Sequence, residues 1–129
     1  MKTAAGVLMA ANAALFFFGA VQHAGIVIGR FHEPIILPAA IVEAVCGLSL
    51  LGGAMALFLD STARWRAALI ANFVALGGVL LGVAALAAGA GPSTASNDMY
   101  HRIMLVLIGV SLVLLFLERK RDYRNHPRP

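Results

Sequence analysis

Charge is what this sequence has least of. Only 12% of its 129 residues are Asp, Glu, Lys or Arg, about half the share that soluble domains carry. The chain is 60% hydrophobic, and a small folded body has too much surface to hide that much apolar material. A soluble globular domain is therefore excluded, and lipid becomes the expected solvent. The single cysteine, Cys46, excludes an intrachain disulfide; inside its apolar run it reads as a small packing residue. Phosphate-cradling Gly-rich loops, nucleophile elbows, HExxH and paired CxxC spacings are all missing. Basic residues are not interleaved with aromatics as a nucleic-acid surface requires, so no nucleic-acid partner is expected. The net charge of +4 comes instead from Lys and Arg at the ends of apolar runs and in the C-terminal tail, a pattern of membrane topology and attraction to anionic lipid.

What is present is a set of long apolar runs, at about 4–28, 35–59, 67–90 and 100–117, against the roughly 20 residues a bilayer crossing needs. Backbone groups in lipid must satisfy one another, so these runs are expected to be helices. The first run follows Lys2 but is longer than a signal-peptide core, and it reads as a retained span. The expected fold is all-α: a polytopic, antiparallel four-transmembrane-helix bundle forming a single domain over 1–129, with a basic tail at 118–129. Lys2, Arg64, Arg66, Arg119, Lys120, Arg121, Arg124 and Arg128 fall on one side and only Arg30 and Arg102 on the other. By the positive-inside rule both termini are then cytoplasmic, with Trp65 as an anchor at that interface. The short outer linkers are "GRFHEP" and "GPSTASNDMY"; in the second, Ser96, Asn97 and Asp98 are candidate N-caps for the fourth helix.

Helices in lipid are held by close backbone approach and internal hydrogen bonds. Gly47, Gly52 and Gly53 supply small faces on the second run. Gly78 and Gly82 form a small-xxx-small pair, read either as intrachain packing or as a self-association face. Asn12 and Asn72 are expected to bond across helices.

The stretch "QHAGIVIGRFHEPIILPAAIVEAV" (22–45) concentrates the chemistry. Asn12, Gly19 and His23 share one stripe of the first helix. At about 1.5 Å per residue, His23 lies about 8 Å below the outer end of its run and Glu43 about 10 Å below the start of the next. Similar depth on adjacent helices predicts that the two meet. An isolated carboxylate in lipid is costly, and an imidazole is a fitting partner. Such a pair reads as a register-fixing contact, as a polar ligand pocket, or as a proton relay. His23, Glu43, His101 and Gln22 are the candidate ligand-binding residues, with Arg30, His32, Glu33, Asp98 and Arg102 as candidate contributors at the outer surface. No metal or haem is expected, because nothing here has metal-ligand or haem-attachment spacing. No catalytic constellation is evident, and an autonomous enzyme is not expected.

The run "AAIVEAVCGLSLLGGAMALFLDSTARWRAALIANFVALGGVLLG" resembles the DoxX-like group of small four-helix membrane proteins. The likeness lies in Glu43, the Gly and Leu residues after it, the short Arg-bearing loop and the small-residue third run, about a third of the chain. It implies a bacterial inner (plasma) membrane protein, with Glu43 as a pocket residue, and some such relatives are small subunits of quinone-linked redox systems. The function expected is thus an accessory or binding protein with an outer-leaflet pocket for a quinone-like or other amphipathic ligand. The alternatives are an oligomeric transporter or channel with a proton-linked Glu43, and a scaffold subunit of a larger membrane complex.

Overall fold

The computed structural model describes residues 2–29, 33–92 and 94–125. Its order is α1 (Lys2–His23), α2 (Leu37–Phe58), α3 (Arg64–Ala87) and α4 (Ala95–Asn125), and there is no β-strand among the described residues. All 4 helices are long and apolar enough to cross a membrane. The chain is a multi-pass membrane protein. Large apolar side chains such as Ile41, Leu48, Phe73 and Val106 face outward, as lipid allows. Alanines fill much of the inside, among them Ala5, Ala13, Ala54, Ala68, Ala71 and Ala75, which brings backbones close enough for dispersion to hold the helices together.

Each helix packs on two others: α1 on α2 and α4, α3 on α2 and α4. Along α1 and α2 the contacts run in opposite order, with Gly6 against Phe58, Gly53 against Met9, Gly47 against Phe17 and Gly19 against Glu43. Gly78 faces Cys46 and Val42, and Gly82 faces the His101 ring. That pair is therefore occupied by packing inside the chain.

The helix ends differ from the sequence expectation at the end of the bundle that carries the α1–α2 and α3–α4 connections, the side expected to be outer. The first apolar run extends to about residue 28, but α1 stops at His23. Gly25 adopts φ 92° and closes a Schellman cap, in which Ile26 N–H donates to the Val21 carbonyl (3.1 Å) and Gly25 N–H to that of Gln22 (2.9 Å). The exposed Ile26, Val27 and Ile28 belong to the connection, and hydropathy alone cannot separate them from the span. Helix α3 ends in the same way on Gly89 (φ 68°). Helix α4 is capped by Thr94, whose hydroxyl accepts the Asn97 N–H at 3.1 Å; Ser96, Asn97 and Asp98, the expected caps, lie inside the helix. At its other end α4 continues to Asn125. There Asp122 accepts hydrogen bonds from Arg64 Nη2 (2.8 Å) and Trp65 Nε1 (2.9 Å), and Arg64 also pairs with Asp60 at 2.6 Å. This clasp ties the end of α4 to the α2–α3 loop.

Candidate functional site

Two local devices bring His23 to Glu43. The Schellman turn sends the chain back so that Ile36 N–H donates to the His23 carbonyl at 2.9 Å, setting the start of α2 beside the end of α1. Helical side chains also lean toward their own N-terminus. His23 therefore reaches inward from the last residue of α1, while Glu43, on the oppositely running α2, reaches outward. They meet with Nδ1 of His23 2.9 Å from Oε2 of Glu43, both nearly buried. His23 sits at the outer end of its helix rather than about 8 Å beneath it, and the lean of the side chains supplies the missing depth. The carboxylate accepts and Nδ1–H donates, which leaves His23 Nε2 buried without a protein partner.

The other carboxylate oxygen faces α4. A methyl built on Gly19 would lie 2.7 Å from Glu43 Oε1 and 2.8 Å from the Tyr100 hydroxyl. Only the missing side chain at Gly19 lets these groups come together over α1. The Tyr100 hydroxyl interacts with Glu43 and also faces the Leu15 carbonyl at 3.4 Å. Next to it, His101 Nδ1 donates to the Asn97 carbonyl at 2.9 Å; its Nε2 points at Gly82, where any side chain would overlap the ring.

These groups border a cavity of about 360 Å³ between α2, α3 and α4. His23, Glu43, Asn97 and His101 form its polar wall, and Ile36, Val42, Leu81, Ala85 and Leu86 are among its apolar lining. Pro38, Leu81 and Ala90 line it and are also exposed, so it is reached from the outer surface of the bundle. Its volume is at the lower end of small-molecule sites. A few convergent polar groups in an apolar chamber can orient the head of an amphipathic molecule while its apolar body lies along the helices. Comparison with family models, with curated proteins and with solved structures finds no match. The reading of this site therefore rests on its own geometry.

Of the residues expected here from sequence, His23, Glu43 and His101 line the cavity. Gln22 is buried but does not line it, because the neighbouring position on a helix points about 100° away. Asp98 and Arg102 also lie off the cavity wall. Glu33 is engaged elsewhere: its carboxylate accepts from Thr94 (2.7 Å) and from Ser96, tying the two outer connections together. Arg30 and His32 lie outside the described residues. Among the described residues no three of His, Cys, Asp and Glu converge as a metal centre would require.

Sequence reasoning missed Tyr100 and Asn97 as members of the site. Tyr100 reads as an interfacial extension of the fourth run and Asn97 as a cap. The available signal is their spacing from His101: Asn97 stands one helical turn before it.

Proposed function

We propose that this chain is an antiparallel four-span bundle of a bacterial plasma membrane, with both termini cytoplasmic, and that it binds an amphipathic ligand in its outer-leaflet cavity. The polar head of the ligand meets His23, Glu43 and His101, and its apolar body lies against Leu81 and Leu86. A quinone-like head is the favoured class, which would make the protein an accessory subunit of a quinone-linked redox system. The DoxX-like pattern around Glu43 points the same way. The observation that carries the reading is the buried His23–Glu43 hydrogen bond on the wall of a cavity that also reaches the bundle surface. A pair that served only to fix helix register would need no such chamber beside it.

Orientation rests on the excess of Lys and Arg at one side. Exposed Arg119, Lys120 and Arg124 on α4 suit contact with anionic head groups. An oligomeric transporter needs a subunit contact other than Gly78 and Gly82, which are covered within the chain. A homo-oligomer or a larger complex remains part of this proposal through the outward apolar faces of the helices.

The test is equilibrium binding of a short-chain benzoquinone and its quinol to the purified chain in lipid nanodiscs, for the native sequence and for Glu43→Gln, over acidic to alkaline pH. Binding that depends on pH and is weakened by the substitution is the expected result. Affinity unchanged by the substitution at every pH removes Glu43 from the site and the reading with it.

A further inference from the structure

A second polar layer crosses the middle of the bundle, away from the cavity. Asn12 stands near the midpoint of α1, Asn72 in the first half of α3 and Ser111 near the middle of α4. All three are fully buried. Their levels are linked pairwise, Ser111 to Asn12 and Asn12 to Asn72, to within about one helical turn. Glu118 of α4 faces the Ala5 backbone of α1, and seven residues inward from each lie Ser111 and Asn12, at equal rise along both helices. A methyl built on Gly53 would be 2.6 Å from the end of Met9 and 2.8 Å from Cβ of Ala71; Asn12 is one turn beyond Met9 and Asn72 the next residue after Ala71.

The polar atoms of this layer are nearly all without protein partners. Asn72 Nδ2 donates to the Ala68 carbonyl at 2.9 Å, which fixes that amide and turns its Oδ1 away from its own backbone. Asn72 Oδ1, both polar atoms of Asn12 and the Ser111 hydroxyl make no hydrogen bond to protein. The expectation that Asn12 and Asn72 bond directly across helices is therefore not met. Orphaned polar atoms in a membrane interior are costly, and buried groups of this kind are ordinarily satisfied by ordered water.

We propose that Asn12, Asn72 and Ser111 form an internal water-binding site at mid-membrane, joining α1, α3 and α4 through bridging water. Water fits the donor and acceptor set. The Asn12 amide offers a donor and an acceptor, Asn72 Oδ1 accepts, and the Ser111 hydroxyl does either. The two ends of the Asn12 amide diverge, so the layer calls for about two waters. A cation fits less well, because the free Nδ2–H₂ group of Asn12 would face it and the layer holds no carboxylate to balance its charge. The site is separate from the outer cavity: Phe16, Met104 and Ile108, all buried, fill the core between the two levels. It stands independently of the proposed ligand.

The test is water-to-protein magnetisation transfer by solid-state NMR on the full chain in bilayers, with asparagine and phenylalanine labelled. Rapid transfer to the side-chain amides of Asn12 and Asn72, with none to Phe16, is expected. Absence of transfer to both amides means a dry layer and overturns the proposal. Thermal unfolding gives a second reading through Asn12→Leu, Asn72→Leu, Ser111→Ala and the triple variant. In a hydrated layer each single change strands the partners of the shared water, so every single variant loses stability and the triple loses less than their sum. In a dry layer each change removes an unsatisfied group, and stability rises with each; that result sinks the proposal. Stabilisation of the native chain by Na⁺ but not by choline at equal ionic strength, lost in the triple variant, would make the layer a cation site and likewise overturn it.

Discussion

Glu43 and Glu118 are buried to a similar degree, at 6% and 3% exposure, near opposite ends of the bundle, yet their surroundings differ. Glu43 has an imidazole on one oxygen, a phenol near the other and a cavity alongside. Glu118 faces the backbone of Ala5 in the first turn of α1, no side chain donates a hydrogen bond to its oxygens, and it lies off the cavity that Glu43 lines. Burial alone therefore does not single out Glu43 as part of the proposed binding site. Directed side-chain partners and adjoining space do, and of the two carboxylates Glu43 has both.

Breaking the Glu43 side of this comparison should have the largest effect. His23→Leu leaves a buried carboxylate without its donor, a change that costs about 3–5 kcal/mol where a buried pair is broken one-sidedly. Replacing both partners, in His23→Leu with Glu43→Leu, should recover much of that loss, because no charge is then stranded. Thermal unfolding in bilayers or mild detergent measures the cycle. Equal loss in the single and the double variant would mean that the pair contributes only its volume.

Gly19 sharpens the same point at smaller scale. Gly19→Ala places a methyl where Glu43 Oε1 and the Tyr100 hydroxyl now lie, and relieving such overlap costs about 1–3 kcal/mol. Gly109, in α4, has nothing near its absent side chain. There the same change should gain a few tenths to about 1 kcal/mol from helix propensity. The difference in unfolding midpoint between the two alanine variants isolates crowding at the site, and equal midpoints would show that Glu43 and Tyr100 move aside freely.

How much of this was legible in the sequence depends on which solvent decides it. The presence of four spans follows from run length, because lipid tolerates few interruptions in an apolar crossing. Where they end does not follow, since Ile26 to Ile28 are as apolar as the span they leave and only the backbone at Gly25 stops α1. The meeting of His23 and Glu43 was legible from their nearness to one short loop, although side-chain lean rather than equal depth achieves it. Tyr100 and Asn97 were not, because lipid-facing residues on α4 are as apolar as buried ones, so hydropathy carries no sign of its rotation. Asn12 and Asn72 stood out as polar residues in apolar runs, but whether they bond to each other or to a third party depends on spacing finer than a helical turn.

Turning to Glu118, its replacement by methionine should be mild and of opposite sign. A buried carboxyl group with no side-chain donor contributes little, and apolar side chains of similar size are often neutral or stabilising at such positions, by up to about 1–4 kcal/mol. Glu118→Met is expected near the low end, at a gain of about 1 kcal/mol, with any effect confined to stability and none on the proposed ligand binding. If it instead lost as much stability as His23→Leu, the two carboxylates would be equivalent and the contrast between them would fail.

The smallest effect belongs to the clasp at Asp122, where an acidic group is well partnered but sits outside the apolar core. Asp122→Asn keeps an oxygen for either Trp65 or Arg64 but removes the charge that holds both. Peripheral ion pairs contribute about 0–1 kcal/mol, so the unfolding midpoint should barely move. The readout is local: Trp65 is the one tryptophan in the chain, and its indole N–H donates to Asp122. Its emission should shift and its quenching by an aqueous quencher should increase, while Glu118→Met leaves both unchanged. Unaltered Trp65 fluorescence in Asp122→Asn would mean that the end of α4 is held to the α2–α3 loop by packing alone. A carboxylate with two directed side-chain donors would then be as dispensable as one with no side-chain donor, and side-chain partners would no longer separate the two ends of the molecule.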